Sequence, residues 1–250
     1  MPKTIIINAD DFGLTDGICY GFLDAYKKRG ISSTSLIVNG EGLQTALAII
    51  RDYSLKMVGI HLNLTYGSPL SRVEDVPSLC EANGCFHSSH FYHEGVLVNE
   101  EELIREFDAQ IAFFIKHVGY TPTHIDIHHK YDFLNAYPKL RHHLIETYHI
   151  PMRMEAYSDD YPYWHNQKVE LMMDPSFDLE HARDYMEKAF LNDHIELPTH
   201  VGFVDEKIME ISSLNTGRMK DHATVISSVF KNAYKDLGYQ LVGWEDIIRT

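Results

Sequence analysis

Apolar positions along the 250-residue chain alternate between short β-branched runs and longer stretches with helical spacing. Ile5-Ile6-Ile7 marks a buried strand over residues 4–8, by length and residue type. That strand stops at Ala9-Asp10-Asp11-Phe12-Gly13, after which Thr15 or Asp16 can cap a helix reaching about residue 28, closed by Gly30. Strands are predicted at 33–38 and 57–62, with a helix at 43–51 between them. The clearest helix comes later, where Leu103, Ile104, Phe107, Ile111, Phe114, Ile115 and Val118 follow the i, i+3, i+4, i+7 rule. Further strands are expected at 123–128, 150–154, 195–199 and 239–242, and further helices at 137–148 and 221–237.

Strand and helix alternating without repeats or low-complexity linkers is the signature of βα units around a parallel sheet. Roughly seven or eight units in this length is the size of a single-domain (β/α) barrel, with an open doubly wound sheet as the other architecture. No Gly-x-Gly-x-x-Gly follows the first strand, which argues against a dinucleotide site. Residues 63–99 are rich in Gly, Pro, Ser and His and show little periodicity. A stretch that long predicts a loop excursion over one face of the domain.

Composition narrows the function. With 44% hydrophobic and 23% charged residues, the chain suits one globular domain. No apolar run approaches the roughly 20 residues that cross a bilayer, and Ile5-Ile6-Ile7 is too short for a signal-peptide core. Three cysteines without a Cys-x-x-Cys pair fit a cytoplasmic protein. A net charge of −14 argues against nucleic-acid and anionic-membrane partners. Sixteen histidines is a high count, and their positions decide its meaning.

Polar clusters close several predicted strands, where parallel α/β folds place their active sites. Two adjacent carboxylates, Asp10 and Asp11, repel one another unless a cation or hydrogen bonds offset them; helix capping would need only one. His61-Leu62-Asn63 closes the third strand. In His124-Ile125-Asp126-Ile127-His128, alternation puts His124, Asp126 and His128 on one face, which suits a wet site better than a dry core. One carboxylate and two imidazoles from different strand ends match a divalent metal with open positions. His200, ending the strand at 195–199, could serve as a general acid. Aromatics of the excursion, Tyr66, Phe86, Phe91 and Tyr92, could stack on a ligand's flat face or anchor the loop.

Four segments carry a resemblance: Ala9-Asp10-Asp11-Phe12-Gly13-Leu14, Thr34-Ser35-Leu36-Ile37-Val38-Asn39, Gly59-Ile60-His61-Leu62-Asn63-Leu64 and Pro122-Thr123-His124-Ile125-Asp126-Ile127-His128. In order and spacing the chain resembles the YdjC-like carbohydrate deacetylases, among them the chito-oligosaccharide deacetylases. The resemblance implies a distorted (β/α) barrel and hydrolysis of the acetamide on N-acetylglucosamine units, such as those of N,N'-diacetylchitobiose or its 6-phosphate. It further implies that Asp11, His61 and His128 bind one divalent ion and that Asp10 is the general base. His200 falls where the family has a histidine acid. Arg153 and Arg218 match arginines near later motifs and, with Asn63, His124 and Asp126, are candidates for holding the substrate. The family points to magnesium, whereas imidazole ligands favour zinc, cobalt or manganese. Two positions depart from the family's pattern: Lys130-Tyr131-Asp132 follow His129 where further histidines are usual, and Val201 replaces a proline beside His200. Lys130 joins the two arginines as a candidate phosphate partner. The expected partner is an N-acetylated oligosaccharide, with a homodimer as the alternative to a monomer. The other functions compatible with these residues are a metal-dependent sugar isomerase and a non-catalytic sugar-binding protein.

Overall fold

Strand β1 (Lys3–Phe12) lies at the centre of an all-parallel sheet in the computed structural model, which describes residues 2–129, 133–153 and 167–247. The other strands are β2 (Ser33–Leu36), β3 (Val58–Leu62), β4 (Ile125–Ile127), β5 (Gln167–Lys168), β6 (His194–Thr199) and β7 (Tyr239–Leu241). Their order is β4-β3-β2-β1-β6-β5, with β7 paired to the beginning of β1. β6 follows one edge of β1 from Thr4↔His194 to Ala9↔Thr199. The other edge is shared: β7 takes Lys3, Thr4 and Ile5, and β2 takes over from Asn8. Parallel neighbours need crossover connections, and helices supply them. The sheet curls into a half-barrel surrounded by helices, a distorted barrel of the expected kind.

The helices are α1 (Asp16–Lys27), α2 (Leu43–Asp52), α3 (Ser89–His93), α4 (Glu100–Val118), α5 (Phe133–Ala136), α6 (Pro138–Tyr148), α7 (Ala182–Ala189), α8 (Glu206–Ile211), α9 (Thr216–Ile226), α10 (Ser228–Asp236) and α11 (Trp244–Ile247). Thr15 caps α1 by accepting from the Ile18 amide, while Asp16 accepts from Thr45 Oγ1. α4 begins at the Asn99 cap and ends on Gly119 in the left-handed region, φ 87°. Its Leu103, Phe107, Ile111 and Phe114 are fully buried against the sheet; Ile115, at the rim of the stripe, is 38% exposed.

Several boundaries differ from the periodicity. β1 continues through Asp10 and Asp11 to Phe12, because a bulge keeps the pairing with β2 going beyond Asn8. The helix expected at 221–237 is two helices meeting at Ser227, which is extended (ψ 140°) and whose hydroxyl caps α10. α9 also starts earlier, at Thr216. The strand expected at 150–154 is a single parallel bridge, Ile125↔Met152, and Met154 lies outside the described residues. β5, α7 and α8 are short and carried no clear period.

The excursion at 63–99 is pinned by polar side chains on the buried face of α4. Glu106 accepts from the Leu70 and Ser71 amides, and Gln110 bonds both the amide and the carbonyl of Asn63. Phe86 and Tyr92 are buried, and Phe91 packs partly buried on the core, stacked with His87. Those three aromatics pack the loop onto the core. Tyr66 bonds Glu41 through its hydroxyl.

The segment after β6 is fixed by close packing on α1. Cβ atoms added at Gly17 and Gly21, one turn apart, would come within 2.5 Å of Phe203 O and 2.4 Å of Gly202 Cα. Alanine at 21 would raise helix propensity by about 1 kcal/mol. Overpacking against backbone outweighs that gain, so Gly21→Ala should destabilise the protein by about 1–3 kcal/mol. Urea unfolding midpoints check this, and a variant of unchanged or higher stability would show that the contact yields freely.

Candidate metal centre and active site

β1 faces a geometric problem at Asp10-Asp11. Successive strand residues point to opposite faces, so a regular strand could offer the site only one of them. The bulge between Ala9 and Phe12 and the left-handed backbone of Asp11 (φ 66°) break the alternation. Aspartate tolerates that conformation better than most side chains. Both carboxylates are therefore buried on the same side, each 2% exposed.

Asp11 meets two imidazoles. Its Oδ1 lies 3.2 Å from His61 Nε2 and 3.0 Å from His128 Nδ1, and those nitrogens are 3.3 Å apart. His61 comes from β3; His128 directly follows β4, its amide bonded to Leu62 O. Asp11 Oδ1 is buried without a hydrogen bond in acceptable geometry. Ligands about 2.0–2.3 Å from one divalent ion would stand at such mutual distances. An orphaned carboxylate oxygen facing two ring nitrogens fits that ion. The three side chains could hold a metal, and sequence reasoning grouped the same three.

The surroundings orient His61. In the β3–β4 register His61 pairs with Asp126, whose Oδ1 accepts from His61 Nδ1 at 2.7 Å. With that proton committed, Nε2 is the nitrogen turned to Asp11 and His128, the usual arrangement of a carboxylate-backed metal ligand. Ser35 Oγ donates to Asp126 Oδ2 at 2.8 Å. Burial alone would lower the His61 pKa, but Asp126, Asp11 and Asp10 outweigh it and raise it to about 10. The pocket draws positive charge to this spot, whether a proton or a metal ion. His128, by contrast, is pushed down by burial, which leaves a neutral ring with a lone pair to give.

Asp10 has different company. Arg153 grips it with two parallel bonds, Nη1 to Oδ2 at 2.7 Å and Nη2 to Oδ1 at 2.8 Å, and Asn8 Nδ2 also donates to Oδ1 at 2.7 Å. Arg153 further binds Glu196 Oε1 through Nε at 2.7 Å and lies 3.1 Å from Asp126 Oδ2. Burial works to raise the Asp10 pKa, and the guanidinium overrides it to hold the carboxyl below its ordinary value. Burial lifts Glu196 to about 7 against the same guanidinium.

The five residues expected to hold substrate are all buried, none more than 7% exposed. Arg153 and Asp126 belong to the network just described. Arg218 pairs with Asp11 Oδ2 at 2.7 Å. His124 stacks flat on Trp244, ring centroids 4.5 Å apart, and does share its strand face with Asp126, 3.6 Å away. Asn63 shapes the start of the excursion through Asn39, Thr65 and the Tyr66 carbonyl. Lys130 lies outside the described residues. His200 follows β6; its amide donates to Asp221 Oδ2 on α9 at 2.9 Å, and its ring Nδ1 is 4.0 Å from that oxygen. Asn8, Ser35, Glu196 and Asp221 bond to these side chains or to the His200 amide and were given no role from the sequence. Asn8 and Glu196 were legible as polar residues within apolar strands; Asp221 gave no signal.

Residues 4–236 match the model of the YdjC-like protein family. The chain belongs to the YdjC-like family. Carbohydrate deacetylase 1 of Listeria innocua serovar 6a is 32% identical over 246 residues, covering 95% of this chain and 96% of that protein. The carbohydrate deacetylase of Oceanobacillus iheyensis is 33% identical over 220 residues, covering 86% and 92%. A candidate cellobiose-phosphate cleavage protein of Enterococcus faecalis V583 superposes with a TM-score of 0.87 at 27% identity, over 99% of both chains. The peptidoglycan N-acetylglucosamine deacetylase Bc1960 shares the fold of this YdjC-like chain, with a TM-score of 0.56 at 11% identity over 100% of this chain and 89% of that one.

Asp126→Asn tests the orientation of His61. Loss of a carboxylate behind a metal-binding histidine should weaken divalent-ion binding about 10- to 100-fold. Titration calorimetry with zinc or cobalt measures it, and an unchanged affinity would remove Asp126 from that role.

Proposed function

We propose that this chain is a metal-dependent carbohydrate deacetylase acting on N-acetylglucosamine units of short sugars such as N,N'-diacetylchitobiose. The observation that carries the reading is the division of Asp10 and Asp11, adjacent in sequence, into two environments: one faces two imidazoles, the other lies in an arginine fork. A divalent ion held by Asp11, His61 and His128 would supply Lewis acidity, polarising the amide carbonyl and lowering the pKa of water.

The chain's own residues account for the proton movements. Asp10 takes a proton from the attacking water as general base. A carboxylate oxygen has two lone pairs. Those of Asp10 Oδ1 are occupied by Arg153 and Asn8, whereas Oδ2 accepts from Arg153 alone among the described residues, leaving one lone pair for water. Arg153 keeps Asp10 ionised and fixes its plane, so it acts as a positioning residue instead of a sugar contact. His200, beside Asp221 at the end of β6, returns a proton to the departing amine. A sugar-binding protein without catalysis would have no use for a carboxylate fixed in this manner beside an intact ligand set.

Acetate release from N,N'-diacetylchitobiose and its 6-phosphate, with magnesium, zinc, cobalt or manganese and with chelator, tests the reading. Chelation should abolish release, and restoring the ion should recover it. Asp10→Asn should keep the ion and lose at least about 10²-fold in turnover, the scale of a general base. Ion-bound wild type that releases no acetate from either sugar would refute deacetylation, and ketose formation from sugar isomers would favour an isomerase.

A further inference from the structure

Arg218 is 2% exposed and stands in the first turn of α9. Its Nη2 holds Asp11 Oδ2 at 2.7 Å, and its Nε donates to the Leu214 carbonyl at 2.7 Å. Nη1 is buried without a partner among the described residues. A guanidinium placed only to anchor α9 would need the Leu214 bond and would have its remaining donors satisfied, as buried polar groups ordinarily do. A site built only for cation affinity would not carry a buried positive charge against one of its ligands, since like charges repel. Neither simple account explains the contact.

Carboxylates bind metal ions through one oxygen or through two, and the second mode fills a further coordination position. Asp11 Oδ1 faces the two imidazole nitrogens, while Oδ2 is occupied by Arg218. We infer that Arg218 is a positioning residue that confines Asp11 to single-oxygen coordination, so that positions stay open for water and the substrate carbonyl. The repulsion it imposes on the ion lowers affinity; the return is an open coordination sphere, which a hydrolytic metal site requires. This inference rests on the metal-dependent reading proposed above and extends it to a residue that supplies neither a ligand nor a transferred proton.

Arg218→Met and the milder Arg218→Gln remove the charge and free Oδ2. The test follows thermal unfolding of the full chain after chelation and again with zinc or cobalt alone. Chelated variants should melt below wild type, because Asp11 Oδ2 loses its guanidinium. The ion-induced rise in Tm should exceed that of wild type, because Oδ2 now joins Oδ1 on the ion. Cobalt-loaded variants should absorb more weakly in the visible per bound ion, as a higher coordination number requires. Acetate release should fall about 10- to 100-fold with the ion bound. A variant that folds only when the ion is present is the extreme form of the same result. An ion-induced rise no larger than in wild type, an unchanged cobalt intensity, or failure to fold even with the ion would overturn the inference. If wild type and variants differ in these ways yet wild type releases no acetate, the deacetylase reading fails and the assignment of Arg218 stands.

Discussion

Four carboxylates buried within one small volume are the constraint on which this molecule depends. Asp10, Asp11, Asp126 and Glu196 are each at most 2% exposed. Ionised carboxylates in such a place must be paired, and removing one partner of a buried pair typically costs about 3–5 kcal/mol. Arg153 answers three of them and Arg218 the fourth. Two guanidinium charges do not balance four carboxylates, and the remainder is met by the positive charge favoured at His61 and by the raised pKa of Glu196. The pull toward positive charge at His61 therefore follows from the same burial that forces the carboxylates to be paired.

The same constraint explains what the sequence showed and what it hid. The carboxylates and imidazoles are legible because they interrupt apolar strands: Asp10-Asp11 after Ile5-Ile6-Ile7, His61 at the end of β3, and the alternating His124, Asp126, His128. Alternation placed those three on one face correctly, but it could not tell that His124 would end flat against Trp244, far along the chain, while His128 reached Asp11. The arginines were harder. A lone Arg in a sequence carries no mark of its partner, and both were candidates for the sugar because they match arginines near the family's later motifs. Only the fold reveals that each is committed to carboxylates contributed by distant strands. Helix ends were misjudged for local reasons, as at Ser227, where one hydroxyl cap divides an otherwise continuous helical pattern.

Function here is distributed by element. β1 provides the paired carboxylates, β3 and the end of β4 the imidazoles that face them, and His200 directly follows β6. α9 adds Arg218 and, three residues on, Asp221, so one turn of one helix reaches both Asp11 and His200. The close contact of Gly17 and Gly21 with the Gly202 segment packs the chain just beyond His200 against α1, the element that follows Asp11.

The position of β1 at the centre of the sheet also governs the order in which the protein can assemble. One edge of its outer half meets β2 within a short span, Asn8 opposite Ser33, but its other edge waits for β6, with Thr4 and His194 separated by 190 residues, and its first residues wait for β7. Closing loops of that size carries a large entropic cost that the long-range pairings repay only once they form. During synthesis β1, β2 and β3 can pair early while one side of the central strand stays bare. The carboxylates of β1 are thus made first and neutralised late, because Arg153 and Arg218 arrive only after most of the chain has emerged. Burying Asp10 and Asp11 before those arginines are available would leave unpaired charge in the core, which is costly.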